Sequence, residues 1–463
     1  MLGCLAGCTQ TASDEPTPPT EVTTERTETE TSTPSTSTET TTPHDDRKVE
    51  LSSEVFASSP SSAHAPTDGY ASADWLDSTP LEVVKVTNLD NYDEGSLRWA
   101  VERTEPRLIV FEVGGVIDLA GFNLRINEEN GNVVIAGQTA PDPGITLIRD
   151  SFDVINAQNV IIQHLRVRPG TETVSSEDEW GNEGYAVDAM NVGGSDGQEV
   201  IVDHCSMTWG SDEVLSTSGR NSTASNPFTI ANTIIAEGQA NTQVHPEDEH
   251  AYGSLISGGH DTSIIGNLYA NNHYRNPYVG RWVGIDAQVV NNLIFNCGGG
   301  VVADINGRNR LSIIGNKATT PEPIEFGLGT YGEHEDEVYL DDNQGPRESM
   351  PVTGADIESV TLADEPPIPL GSLTPIPAAD VEAHHTQSVG ARPAARTPHD
   401  ERILTQLAER DGAFIDTFED VGGYPDLAET TRKLNVPSDS DALGDWLSQH
   451  TKAVELPAES PPS

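Results

Sequence analysis

The sequence predicts an all-β solenoid of parallel β-strands, one coil per repeat. Three observations lead there. A short, mostly β-branched pulse ending in a polar or glycine residue recurs along the chain: Asn132-Val-Val-Ile-Ala-Gly137, Asn159-Val-Ile-Ile-Gln-His164, Glu199-Val-Ile-Val-Asp-His204, Phe228-Thr-Ile-Ala-Asn232, Ser263-Ile-Ile-Gly-Asn267, Gln288-Val-Val-Asn-Asn292 and Leu311-Ser-Ile-Ile-Gly-Asn316. The closing residues, taken as markers, are separated by 27, 40, 28, 35, 25 and 24 positions, a floor near 24 with insertions. Each pulse is too short for a helical hairpin, so the repeat reads as strands. Finally, 41 glycines and 31 prolines against 5% aromatics suit many turns and small side chains. A β-sandwich with scattered strands is the competing all-β reading.

Along the chain, Met1 to Cys8 ends in Leu-Ala-Gly-Cys, like the end of a lipoprotein signal, although the apolar segment before it is short; Cys8 is the candidate site for a lipid anchor. Residues 9–66 form a Thr, Ser, Glu and Pro tract with few aliphatic side chains, expected to be a disordered tether because it cannot bury enough apolar surface to fold. Anchor and tether together imply a secreted or surface-anchored protein. The folded domain is expected over 67–330, with a helix at Gly95–Glu102 capping the open end of the stack and short strands over Arg107–Ile117 opening it. Residues 331–463 are expected to be an irregular region of loops and short helices that pack on or trail from the β-helix. Within and around that region, Thr319 to Pro398 reads as surface loops, Asp400–Glu409 as a helix, Val421–Pro425 as a turn, and Asp439–Asp445 as a solvated turn rather than a calcium loop.

Charge narrows the partners. With 74 Asp and Glu against 25 Lys and Arg the net charge is −49, which excludes nucleic acid as a natural partner. At about 1 M salt the Debye length falls to roughly 3 Å and the self-repulsion largely vanishes, so the excess reads as adaptation to high salinity. An ordinary acidic secreted protein is the alternative. Cys205 follows the marker His204 and Cys297 follows an apolar pulse, and both are expected to be small core residues.

Equal phase in a solenoid means one face, about 4.8 Å from coil to coil. Counted back from the next marker, Asp188, Glu213, His250 and Arg275 lie 16, 19, 17 and 17 positions upstream, so four consecutive coils are expected to present acid, acid, imidazole and guanidinium in a line. Insertions at 170–184 and 238–249 would wall a cleft beside it. Asp203 and His204 fall on a marker and are read as structural. His245, His260 and His273 show no partner pattern.

Along this line the sequence resembles the pectate lyases of polysaccharide lyase family 1. The matching pieces are Asp188-Ala-Met-Asn-Val, Ile201-Val-Asp-His-Cys-Ser-Met-Thr-Trp-Gly-Ser-Asp-Glu-Val-Leu-Ser216, His250-Ala-Tyr-Gly-Ser-Leu-Ile-Ser-Gly-Gly, Arg275-Asn-Pro-Tyr-Val-Gly-Arg281 and Val290-Asn-Asn-Leu. The resemblance implies a right-handed, single-stranded parallel β-helix that cleaves polygalacturonate by β-elimination with Ca2+. It implies calcium ligation by Asp188 and Glu213, with Asp212 a neighbouring candidate, proton abstraction by Arg275, and grip of a substrate carboxylate by Arg281. A further calcium acid of the family falls near Ala186, and its substrate-binding lysine near Tyr252 or Gly253, leaving His250 and Tyr252 as substitute contacts.

The chemistry suits these residues. Hard carboxylate oxygens hold calcium as a Lewis acid beside a uronate, and an arginine fork grips a carboxylate. Arg275 either takes the C5 proton, which implies an alkaline optimum, or stays charged and stabilises the enolate-like transition state. Two other functions compete: a β-helical glycoside hydrolase, disfavoured because the adjacent Asp212 and Glu213 are expected to point to opposite faces, and a non-catalytic polysaccharide-binding surface protein. The partner in each case is an acidic polysaccharide, and the chain is expected to act as a monomer.

Overall fold

The computed structural model describes residues 44–170, 186–194, 199–218, 226–242, 250–257, 261–280, 284–297, 301–306, 309–319, 327–330, 336–345 and 360–457. Cys8, residues 9–43 of the expected tether, most of both expected cleft insertions, His245, His260 and Arg281 lie outside them.

The chain winds as a parallel β-helix. Successive strands fall in turn into three sheets of twelve, nine and eight strands, and almost every neighbour in a sheet comes from the next coil. One coil illustrates the unit: Val200–Asp203 lies in the first sheet, Ser206–Thr208 in the second and Glu213–Ser218 in the third. The pulse residues stack in register down the interior, as Ile109, Ile135, Ile162, Val202, Ile230, Ile264, Val289 and Ile313, one per coil and all fully buried. Buried Ile and Val side chains stabilise by about 1.5–3 kcal/mol each, so an apolar residue repeated every coil is what drives the winding.

The expected marker proves to be two adjacent positions. His164, His204, Asn232, Gly266, Asn291 and Gly315 all have left-handed backbone, with φ between 46° and 66°. The next residue forms a ladder across the later coils. Asn267, Asn292 and Asn316 each donate a backbone N–H, at 2.8–3.0 Å, to the amide oxygen of the asparagine one coil on, ending at Asn343; Thr233 donates in the same way to Asn267. The side-chain Nδ2 groups of the three asparagines repeat the bond at 2.9–3.0 Å. Left-handed backbone favours Asn and Gly, and buried turn amides need acceptors, so one corner places two demands on adjacent residues.

At the N-terminal end, helix α1 (Leu97–Val101) turns Leu97, Ala100 and Val101 into the apolar interior, with Ser96 Oγ accepting from the Trp99 N–H. The buried Arg107 guanidinium donates to the carbonyls of Ala100 and Val101 at the end of α1 and to those of Asn130 and Gly131 in the next coil. The expected boundary at residue 66 is corrected: His44–Val49 is a strand antiparallel to Leu81–Val86, and Val49, Leu51 and Phe56 are buried. Composition averaged over 58 residues hides three apolar side chains that need only an apolar surface supplied by the coils.

The C-terminal boundary moves as well. Coils continue past 330 through Asp336–Asp341 and Val360–Leu362, and helix α2 (Ala378–Ser388) stands inside the stretch expected to be loops. Helix α3 (Pro398–Glu409) is held on the second sheet by Asp400, which accepts from Arg166 Nε at 3.1 Å and Arg168 Nη2 at 2.7 Å. Helix α4 (Ser440–Glu455) begins at Asp439, whose carboxylate caps it by accepting from the Ala442 N–H. Val381, Ile403 and Leu407 from α2 and α3 cover Ile234, Leu268 and Leu293 of the second sheet, while Leu443 and Leu447 of α4 join a cluster with Leu108, Val134 and Ile161 of the first. Cys205 and Cys297 are buried free thiols. Among the described residues no helix is long and apolar enough to cross a membrane.

Candidate active site on the third sheet

The site is assembled on the third sheet. In it, Met190 pairs with Leu215, and Glu213 with Tyr252. Two residues upstream of the first pair lie Asp188 and Glu213, and the Glu213 N–H donates to Asp188 Oδ1 at 3.0 Å. Tyr252 in turn bridges to Tyr274. Four coils therefore align as Asp188, Glu213, Tyr252 and Tyr274, with Arg275 one residue past the last.

Carboxylate oxygens of Asp188, Asp212 and Glu213 lie within 4.8 Å of one another. That overturns the expectation that Asp212 and Glu213 face apart: the strand begins only at Glu213, so Asp212 sits in the preceding bend, where alternation does not apply. The geometric objection to a two-carboxylate hydrolase goes with it. Burial first, then the Asp212 carboxylate, push the Asp188 carboxyl well above the usual range. Hard oxygen donors converging where like charges disfavour one another are what a divalent cation relieves, so the residues present fit calcium.

Arg275 enters from the next coil but one. Its backbone is left-handed, with φ 58°, and the guanidinium ion-pairs with Glu213, whose side chain is 4% exposed. The same guanidinium lies over the Tyr252 ring at 4.3 Å and near the Tyr278 ring at 5.7 Å. Gly253 permits this approach, since a Cβ there would come within 2.5 Å of the Arg275 carbonyl oxygen. His250 faces the Tyr252 ring at 3.9 Å between centroids, and its Nε2 lies 2.8 Å from Asp212 Oδ1.

Of the residues singled out by sequence, Asp188, Asp212, Glu213, His250, Tyr252 and Arg275 come together; Arg281 lies outside the described residues. The acid-acid-imidazole-guanidinium line is staggered rather than straight, because His250 precedes the strand and pairs with Asp212 instead of occupying the rung of Glu213. Asp203 and His204 are buried at the turn between the first and second sheets. Sequence reasoning missed Asp153, one rung before Asn191, whose carboxylate accepts from the Asn191 N–H at 3.3 Å and whose charge bears on Asp188. Its signal was the parallel rung, which the first-sheet markers do not report.

No family model matches the chain. It is similar to the probable pectate lyase C of Aspergillus flavus, at 31% identity over 78% of this chain and 81% of the relative, and to that of Aspergillus oryzae, at 31% over 78% and 80%. The probable pectate lyase C of Aspergillus terreus is 38% identical over 51% of this chain and 49% of its own length. Among solved structures, the major allergen of cedar pollen aligns over 66% of this chain and 87% of its own at 16% identity and a TM-score of 0.45. A thermostable pectate lyase aligns over 67% and 92% at 14% and 0.45. The chain belongs to the pectate lyases, carbon–oxygen lyases that act on polysaccharides.

Proposed function

We propose that this protein cleaves polygalacturonate by β-elimination, with calcium held by Asp188, Asp212 and Glu213 and with Arg275 as the catalytic group. The observation that carries the reading is the convergence of three carboxylates and one guanidinium from three coils of a pectate lyase family member. Calcium bound there supplies a positive charge that neutralises the uronate carboxylate and so favours loss of the C5 proton.

The chain's own residues supply the rest. Arg275 takes the C5 proton in its deprotonated form; the freed electron pair becomes the C4–C5 double bond as the C4–O4 bond breaks, and water returns a proton to the leaving oxygen. Tyr252 lies against the guanidinium and fixes its plane, and Asp212 orients His250 toward the sugar. Arg281 and Tyr252 contact the substrate. Given a polymeric substrate, the protein acts outside the cell, and its acidic surface keeps it soluble in concentrated salt.

Incubation with polygalacturonate and calcium in concentrated salt tests this, followed both by the ultraviolet absorbance of an unsaturated uronide and by reducing ends. A lyase raises both, a hydrolase only the reducing ends, and a binding protein neither. Activity rising with pH through the alkaline range is expected for Arg275 as base; a flat profile assigns it to charge stabilisation instead.

A further inference from the structure

Away from the third sheet, at the corner between the first and second sheets, His164 and His204 occupy the same turn position in adjacent coils. Their rings stack at 5.3 Å and 19°, and both side chains are fully buried. Facing them is Glu455, the last residue of α4, 2% exposed. His164 Nε2 lies 3.5 Å from Glu455 Oε1 and His204 Nε2 lies 3.7 Å from Oε2, and neither Nε2 has a hydrogen-bond partner. One donor atom from each of the three residues lies within 4.8 Å of the other two.

We propose that His164 Nε2, His204 Nε2 and the Glu455 carboxylate bind a structural transition-metal ion, zinc in the first instance, that fastens α4 to the coils. Two features support this. The separations are too long for good hydrogen bonds, yet close to the edge of a tetrahedron around zinc, about 3.3 Å for ligands at about 2.0–2.1 Å. His164 is oriented through its other nitrogen, as metal-bound histidines are, with Nδ1 2.8 Å from the Ala391 carbonyl oxygen, and His204 Nδ1 is in ion-pair contact with Asp203 Oδ1 at 2.9 Å. Asp203 is itself fixed, accepting from Gln163 Nε2 at 2.9 Å and Asn232 Nδ2 at 2.8 Å.

Position explains the use. The ligands come from two coils and from the last turn of α4, and Glu455 Oε2 also accepts from Ser61 Oγ at 2.7 Å and Ser59 Oγ at 3.0 Å of the N-terminal segment. One ion at this point would tie residues about 290 positions apart in sequence, His164 and Glu455, into one unit, coupling metal binding to folding.

The full chain is purified, stripped with a zinc-selective chelator and titrated with zinc in excess calcium, with bound metal counted by mass spectrometry and Tm recorded. One equivalent of zinc with a Tm rise of about 5–10 °C is expected. Glu455→Gln, which retains an oxygen to accept from Ser59 and Ser61, and His164→Gln should each lose the zinc and the Tm rise, whereas Asp188→Asn in the catalytic cluster should keep both. Cobalt in place of zinc should give the visible bands of a four-coordinate, imidazole-ligated ion in the wild type and in Asp188→Asn, and in neither Glu455→Gln nor His164→Gln. Zinc that fails to bind, or that persists in both Glu455→Gln and His164→Gln, overturns the proposal and leaves a proton shared between imidazole and carboxylate.

Discussion

Arg275→Lys is the substitution that separates catalysis from architecture at this site. The charge stays beside Glu213, so the nearly buried carboxylate is not stranded, and Tm should move by no more than a few degrees. What is lost is the planar guanidinium, fixed by the Glu213 ion pair and by the Tyr252 face at 4.3 Å. A flexible ammonium keeps about 0.5–2 kcal/mol of cation–π attraction at best and holds no plane. Misplacing a catalytic group by about 1 Å costs on the order of 10²-fold, and removing a positioned acid–base or charge-stabilising group costs about 10²–10⁴-fold. A fall in kcat of about 10³, equivalent to about 4 kcal/mol, with KM changed less than about threefold, is expected. Initial rates from unsaturated-uronide absorbance across polygalacturonate concentrations give both constants. A folded Arg275→Lys enzyme within about tenfold of wild-type kcat, or one whose loss lies wholly in KM, refutes a catalytic role for Arg275.

Other perturbations follow from the same structure. Asp188→Asn should raise the Tm of the calcium-free protein, by removing a half-buried carboxylate that desolvation and Asp212 disfavour, and should shrink the Tm gain on adding calcium; thermal melts with chelator and with calcium show both signs. Asn292→Ala leaves the Asn267 N–H without its acceptor and the Ile264 carbonyl without its donor, a loss of about 2–6 kcal/mol readable as an earlier denaturant midpoint at unchanged slope. His385 is pushed down to about 3, by burial first and then by His64. The folded state keeps it neutral while the unfolded chain takes a proton below about 6.5, so its stabilisation is complete above that pH and is lost as pH falls from about 6.5 toward 3. His385→Leu should flatten the stability–pH slope in that window by up to one proton, measured in concentrated salt to screen the −49 net charge; an unchanged slope would show that the histidine does not titrate on unfolding.

What was legible in the sequence was what repeats. The apolar pulse fixed the first sheet, because one residue type per coil must fill one interior column, as Ile135, Ile162 and Val202 do. The cluster on the third sheet was legible because its residues recur at nearly constant phase. Asp212 was misjudged because strand alternation stops one residue before Glu213, a local boundary that spacing cannot report. Helix α2 and the ordered segment from His44 escaped notice because they draw their apolar surface from coils distant in sequence. His164 and His204 read as turn residues, and they are, but their common partner Glu455 lies about 250 positions downstream of the nearer histidine, beyond any repeat. A contact set by tertiary packing of a helix leaves no period.

The most direct measurement is a crystal structure of the protein with calcium and a short oligogalacturonate. Calcium within about 2.3–2.6 Å of oxygens from Asp188, Asp212 and Glu213, with a uronate carboxylate on the same ion and Arg275 facing the adjacent C5, is the expected result. Sugar bound on another face, or calcium seated away from those three carboxylates, would contradict it.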